Sequence, residues 1–447
     1  MDFCLAKNVS LKMSKNKTYL FNYYSGKKQE LNSPFATKLV AILEHKKKIK
    51  LTKNQLDTVD YLVDVGFLEN KKQPPKIIKY KGPFLYRATL HITPKCNLNC
   101  YHCYIKPYSK QNQLGKTVIN TLAKDMQNMS ALNITITGGE PFLRKDLIEV
   151  FNYFYRREIR IENIFTNGTL LSKKIKTLKK IKELGKPLFY VSLDGLENEH
   201  NSFRKNKTAF KSALAGIETL NNLDFNVVIN ISLNKLNLNN ISKIHEIIQN
   251  YDNVIRVRID AGFRLGGWLK SKDALGVSSD EELTAYKKYI SCWDKDNRPY
   301  DLECGHMFRY LYKKVYNVKY TPQDLCCDYN LHNVTIWHDG AVTSCALMPK
   351  EYAVGNIKNQ SLKEIWESEK MQKYKNLKIC DIVKKNINCK NCKYLRFCGT
   401  GCRANALHID GIYENYDKEI CLLYKSGIMD EITELEKGLT RGENNVK

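Results

Sequence analysis

The feature that most constrains the fold is an alternation of strand-like and helix-like segments between residues 84 and 263. Six short runs (Tyr86–Ile92, Ile134–Thr137, Ile161–Phe165, Phe189–Leu193, Val227–Leu233 and Ile255–Ile259) are separated by helical stretches such as Thr117–Asn128, Lys173–Leu184 and Ala209–Leu220. Six βα units of this spacing imply a parallel sheet and an α/β fold, open or curled into a partial barrel. Ligands of such sheets gather at the carboxyl ends of the strands.

The flanks read differently. Residues 1–78 look like a small separate domain. Strand-like runs Thr18–Tyr24 and Gln29–Leu31 surround a Ser25-Gly26 turn. A helix opens at Ser33-Pro34, with Ser33 as N-cap and an apolar face of Phe35, Leu39, Ile42 and Leu43. A second helix is boxed by Thr52 and Gln55, buries Leu56, Val59, Leu62 and Val63, and closes at Gly66. Phe67-Leu68 begins a returning strand, which gives a winged-helix-like layout. The linker Lys71–Gly82 is polar and carries Pro74-Pro75. Beyond residue 265, Ser278 and Ser279 open a helix facing inward with Leu283, Tyr286, Ile290 and Trp293. From there to about residue 421 the pattern is irregular and cysteine-rich, and 435–447 read as a polar tail.

A chain of 447 residues, 43% hydrophobic, is long enough for two or three domains with their own cores. No apolar run reaches the roughly 18 residues of a membrane span. Met1–Leu20 lacks the apolar stretch of a signal peptide, so a cytoplasmic protein is expected. The net charge of +25 is mostly lysine spread along the chain, which favours an acidic partner over a dedicated nucleic-acid site. Fifteen cysteines in a reducing compartment point to thiolate ligands rather than disulfides.

Their spacing carries the chemistry. Cys96, Cys100 and Cys103 form C-x3-C-x2-C just past the first strand. Three cysteines on one loop can hold three irons of a cubane cluster and leave the fourth open to an amine and a carboxylate. A zinc loop completed by His91 or His102 is the competing reading. Gly138-Gly139-Glu140-Pro141 ends the second strand, the glycines admitting close approach of a ligand and Glu140 offering an acceptor to an ammonium group. Thr166-Asn167-Gly168 ends the third strand. Ser192-Leu193-Asp194-Gly195 ends the fourth, followed by His200-Asn201-Ser202-Phe203-Arg204.

On these motifs the chain resembles the radical S-adenosylmethionine (SAM) superfamily. The resemblance implies a [4Fe–4S] cluster on the catalytic Cys96, Cys100 and Cys103, with SAM cleaved to a 5′-deoxyadenosyl radical. It places His102 near the adenine, Gly138, Gly139, Glu140 and Pro141 on the methionine, and Thr166 and Asn167 among the strand-end contacts. Ser192 is given a ribose hydroxyl and Arg204 a carboxylate, while Asp194 is a cofactor contact or a turn or cap residue.

Toward the C-terminus, Cys389-x2-Cys392-x5-Cys398-x3-Cys402 is followed by Cys421 and preceded by Cys326-Cys327, Gly340 and Cys345. A zinc ribbon needs only four of these. With Gly355-Asn356-Ile357 and Ser361–Trp366, the arrangement resembles the SPASM domain. That implies two auxiliary [4Fe–4S] clusters: a near one on Cys345 and Cys402 with Cys326 or Cys327, and a distal one on Cys389, Cys392, Cys398 and Cys421. The adjacent Cys326-Cys327 pair departs from the family pattern. One of the two is then idle, and the near cluster keeps an open iron or recruits Cys304. Cys4, Cys292 and Cys380 fit no pattern.

The implied organisation is a domain over 1–78, a radical SAM core as a partial (β/α)6 TIM-like barrel over 84–265, and a SPASM domain over 300–430. The first resembles leader-peptide recognition domains, which add a peptide as a β-strand. The order is most like thioether-forming, sactipeptide-type peptide maturases. It implies a precursor peptide held by its leader, an electron donor such as flavodoxin or ferredoxin, and neither nucleic acid nor a membrane span. Carbon–carbon cross-linking and epimerisation remain open within that class; an RNA-modifying enzyme and a non-catalytic iron–sulfur sensor remain open outside it.

Overall fold

The computed structural model describes residues 4–15, 17–44, 49–69, 77–82, 84–105, 110, 112–261, 267–305, 319–327 and 329–426. The tail over 435–447 and the Pro74-Pro75 part of the linker lie outside them.

The N-terminal region builds strands β1 (Cys4–Leu5), β2 (Val9–Met13), β3 (Thr18–Asn22), β4 (Lys28–Glu30), β5 (Leu68–Glu69) and β6 (Ile77–Lys79). The expected hairpin is β3–β4, antiparallel, turning where Asn22 Oδ1 accepts the amides of Tyr24 and Ser25. The four-stranded sheet runs β4-β3-β2-β6, and β1 pairs with β5. Helices Ser33–Leu43 and Lys53–Asp64 cover its apolar face. The first helix is capped one residue earlier than expected: Asn32, not Ser33, accepts the Phe35 amide at 3.0 Å. The part of the linker read as simply polar includes β6, which pairs in parallel with β2.

The central sheet holds β7 (Arg87–His91), β8 (Asn133–Thr137), β9 (Arg160–Thr166), β10 (Leu188–Ser192), β11 (Val227–Leu233), β12 (Val254–Ala261), β13 (Asp301–Cys304), β14 (Asn333–Ile336), β15 (Ala341–Thr343) and β16 (Gly355–Asn356). Its order is β13-β12-β11-β10-β9-β8-β7-β14-β15-β16, parallel from β13 to β14. All six expected strands are present. The other four were not expected, being short and, in β13, charged at alternate positions. They extend the barrel sheet at both edges, so the cysteine-rich region is hydrogen-bonded directly to β7.

Alternation decides which way each strand faces. Ala88, Leu90 and Ile92 are fully buried in the main core, whereas Arg87, Thr89 and His91 face the other way. Tyr190 of β10 lies within electrostatic reach of Arg87 on β7 and of Arg256, Arg258 and Glu303 on β12 and β13. Three strand spacings on a flat sheet are roughly 14 Å, and curling shortens the gap that these long side chains span. The sheet is a partial barrel with a polar inner wall.

The N-terminal sheet docks where the barrel strands begin. Lys12 Nζ donates to the carbonyls of Ala131 and Glu158, each at 2.6 Å, just before β8 and β9. Ser130 Oγ donates to Met13 O at 2.8 Å. The cysteine loop lies at the opposite end.

Candidate active site

The strand ends hold the cysteine loop by backbone contacts. Gly139 N–H donates to Thr93 O at 2.7 Å, and Glu140 N–H to Lys95 O at 2.8 Å. A Cβ on Gly138 would sit 2.5 Å from Thr93 O, and one on Gly139 2.1 Å from Lys95 O. The glycines were read as making room for a ligand; in the structure they make room for the start of the cysteine loop.

Glu140 is likewise turned inward. Its buried carboxylate accepts the Thr166 hydroxyl at 2.9 and 3.0 Å, the Asn167 amide at 2.9 Å and the Phe142 amide at 3.1 Å. Burial pushes its carboxyl up to about 7, against the pull of these bonds. The Glu140 carboxylate thus braces the second and third strand ends.

Three donors reach the loop's sulfurs. Leu98 N–H lies 3.4 Å and Asn167 Nδ2 3.8 Å from Cys96 Sγ, and Arg204 Nη1 lies 3.7 Å from Cys100 Sγ. Arg204 Nε also pairs with Asp194 Oδ2 at 2.5 Å, and Asp194 Oδ1 accepts the Ser232 amide at 2.9 Å. Burial alone would raise the Asp194 carboxyl, but the Arg204 guanidinium beside it holds it below the usual range. Asp194 is therefore a buried counter-ion rather than the turn or cap residue considered from sequence. Its own amide donates to His200 Nδ1 at 3.0 Å, and burial depresses that imidazole to about 4, so His200 is neutral. Ser192 ends β10 on the inner wall, half-buried.

The two histidines offered to a zinc ion are engaged elsewhere. His102 stacks on Phe203 with centroids 4.6 Å apart and planes 3° from parallel. His91 stacks on Trp337 at 4.6 Å and 5°. Burial pushes both down to about 3. Among the described residues no three Cys, His, Asp or Glu side chains converge on one ion. The three thiols and their donors fit a polynuclear cluster, whose cysteines bind separate irons and whose sulfurs accept hydrogen bonds.

The C-terminal thiols fall into two groups. Cys389, Cys392, Cys398 and Cys421 line one cavity together with Asp417 and Tyr424. Cys345 is half-buried with Cys402 and Cys327 near it, and desolvation and these neighbours push its thiol well up. Cys326 faces Arg403, Thr400 and Asp381, and burial pushes its thiol up to about 11. Cys304 is not with them. It lies in β13 at the far edge of the sheet, packed in the main core near Tyr286 and Tyr289. Its strand pairing removes the recruitment considered from sequence.

Residues 90–248 match the radical SAM superfamily, and residues 326–393 match an iron-sulfur cluster-binding domain, SPASM. The chain is a radical SAM enzyme. It uses a [4Fe–4S] cluster and SAM, and its SPASM domain carries auxiliary iron–sulfur clusters. It is 27% identical over 391 residues to the Fe-coproporphyrin III synthase of Methanosarcina barkeri, covering 80% of this chain and 93% of that protein. It is 26% identical over 368 residues to the subtilosin biosynthesis protein AlbA of Bacillus subtilis, covering 79% and 74% respectively. Its fold is like that of Streptococcus suis SuiB bound to precursor peptide SuiA, with TM-score 0.65 and 15% identity over 94% of this chain and 99% of that one. No helix among the described residues of this radical SAM enzyme is long and apolar enough to cross a membrane.

Sequence reasoning missed three supports. Phe203, beside the singled-out Arg204, stacks on His102. Asp417 accepts the Cys402 amide at 3.0 Å and caps the helix carrying Cys421, so it joins the two thiol groups. Its sequence signal was an N-cap just before a helix. Trp337 links His91 to the SPASM strands, donating to Thr343 Oγ1 at 3.2 Å, which donates to Cys345 O at 2.9 Å.

Proposed function

We propose that this enzyme modifies a ribosomally made precursor peptide, joining a cysteine sulfur to a backbone carbon in an oxidative thioether cross-link. The observation that carries the reading is the N-terminal module. The fold likeness to SuiB bound to its precursor peptide extends over 94% of the chain. That module over 1–78 serves as a leader-recognition domain. In its four-stranded sheet β6 occupies one edge, and β4 leaves the other, exposed edge for an added peptide strand.

In this reading Cys96, Cys100 and Cys103 hold the SAM-binding cluster within the core over 84–265. Bound there, cluster and SAM supply a 5′-deoxyadenosyl radical that takes hydrogen from the peptide. The chain's own residues orient and exclude water. His102, held flat by Phe203, packs at the adenine. Ser192 meets a ribose hydroxyl. The backbone of Gly138–Pro141 lines the methionine, while the Glu140, Thr166 and Asn167 side chains keep the strand ends in register. Arg204 offers its guanidinium beside Cys100. Within 300–430, Cys327, Cys345 and Cys402 would hold the near auxiliary cluster, which would serve a substrate thiolate. Cys389, Cys392, Cys398 and Cys421 hold the distal one. A net charge of +25 suits an acidic flavodoxin or ferredoxin as electron donor.

The test is the intact mass of a small peptide encoded beside this enzyme, co-expressed with it without oxygen. The expected result is loss of hydrogen pairs, in step with the peptide's cysteines and absent in Cys100→Ala. An unchanged mass overturns thioether formation. A second reading, tetrapyrrole chemistry, is favoured by the match over 93% of the Fe-coproporphyrin III synthase; conversion of an iron porphyrin would establish it.

A further inference from the structure

The inner wall of the barrel is lined by charges that neutralise one another. Near the start of β7, Arg87 pairs with Glu162 of β9. On the opposite side, Arg256 lies 3.0 Å from Asp301 and 3.2 Å from Glu303, and Arg258 lies 2.7 Å from Asp260. Glu303 also approaches Arg258 at 3.9 Å, so one carboxylate serves two guanidiniums. The strand registers place Arg256 opposite Asp301 and Arg258 opposite Glu303, one inward-facing step apart. The neutral part of the wall holds the stacked rings of Phe165 and Tyr190, 4.3 Å apart, with Ser192 and Asn230 on neighbouring strands.

A site built for a polyanion presents cations with donors to spare, commonly arginine forks awaiting a carboxylate or phosphate. Among the described residues, the guanidiniums of Arg87, Arg256 and Arg258 meet four carboxylates, and Arg160 lies near Glu162 as well. An incoming carboxylate would have to displace Asp260 or Glu303 from its partner and leave a like charge beside it. Uncharged amide and hydroxyl groups meet no such obstacle, because Tyr190 and Asn230 offer hydrogen bonds and the Phe165–Tyr190 stack offers aromatic surface.

We propose that this paired wall selects the substrate by charge: it seats a peptide segment free of acidic side chains and excludes polycarboxylates, with Glu303 and Asp260 as the specificity-determining residues. The inference rests on the peptide-maturase reading for the identity of the occupant, but the exclusion of polycarboxylates is a property of the wall itself.

Two measurements on the cluster-loaded full-length enzyme separate these claims. In the first, iron coproporphyrin III, a tetracarboxylate, is titrated and its Soret band followed. The wild type is expected to bind it weakly, and Asp260→Asn/Glu303→Gln, which strips Arg258 of both its carboxylates and leaves Arg256 with Asp301 alone, at least roughly tenfold more tightly. Saturable binding by the wild type that the double variant leaves unchanged would overturn the proposal. The second uses only the wild-type enzyme, so it stands even if the double variant fails to fold. A precursor carrying glutamate in place of a neutral residue next to a modification site is expected to be modified roughly tenfold less. Equal yields from the two peptides would sink charge selection. If no precursor is modified at all, the maturase reading fails, while the porphyrin titration still decides what the wall excludes.

Discussion

Cys96, Cys100 and Cys103 come from eight consecutive residues and are steadied by the ends of β8 and β9. Cys327, Cys345 and Cys402 come from three separate places and meet only because β14 and β15 continue the barrel sheet beside β7. The first group is a local structure with neighbours to stiffen it. The second is a product of tertiary folding, held by the buried Asp417, by Thr343 and by the seam from Trp337 to His91. A local thiol set should fail at its own chemistry when altered; a non-local one should fail through assembly.

The largest expected effect is on the local set. Cys100→Ala should abolish SAM cleavage, measured as 5′-deoxyadenosine, because a loop with three thiols has none in reserve. Normal yield from that variant would remove the loop from the active site. The non-local set should respond in shares. Cys398→Ala should lower iron content while some SAM cleavage persists, and unchanged iron would dispose of the distal cluster. The adjacent pair sharpens the contrast further. Cys327→Ser should lose iron and Cys326→Ser should keep it, since Cys327 lies within electrostatic reach of Cys345 while Cys326 faces Arg403, Thr400 and Asp381. Equal loss from both would mean that the near site draws on both thiols.

The seam between the two regions gives a smaller effect of a different kind. Trp337 is almost fully buried between His91, Tyr104 and Thr343. Trp337→Ala should cost about 3–5 kcal/mol of stability, read by denaturant unfolding. If the seam couples the regions, the near thiols should then load iron poorly while the cysteine loop still loads. A variant as stable as the parent would mean that the regions are packed independently.

The same contrast explains what could be read in the sequence. β7 to β12 were legible because each places apolar residues under the helices and is long enough to show it; Val227–Leu233 matches to the residue. β13 to β16 have two to four residues each, and the alternation of Asp301 and Glu303 with Leu302 and Cys304 reads as loop until β12 lies beside it. In the site, residue types and spacing pointed to the right strand ends. They did not show direction: Glu140 and Arg204 both have charged heads that face protein groups, and the Gly138-Gly139 clearance serves backbone. Those outcomes depend on how closely β7 and β8 approach, which no single segment encodes.

Lys12 tests the opposite end of the barrel, where no cofactor chemistry intrudes. Its ammonium is buried, with two carbonyl partners at 2.6 Å, and burial depresses it to about 7, against some help from Glu158. In the unfolded chain the amine keeps its proton to its ordinary value of 10.5. Between those limits the unfolded state binds more protons, so stability should rise with pH from about 7 towards 10.5. The slope from this one group is at most about 1.4 kcal/mol per pH unit. Lys12→Met should flatten that rise and leave the cysteine loop's iron content alone, measured by unfolding at several pH values. Loss of loop iron in Lys12→Met would show that docking of the N-terminal module reaches the opposite end of the strands, and that even the local thiol set depends on distant packing.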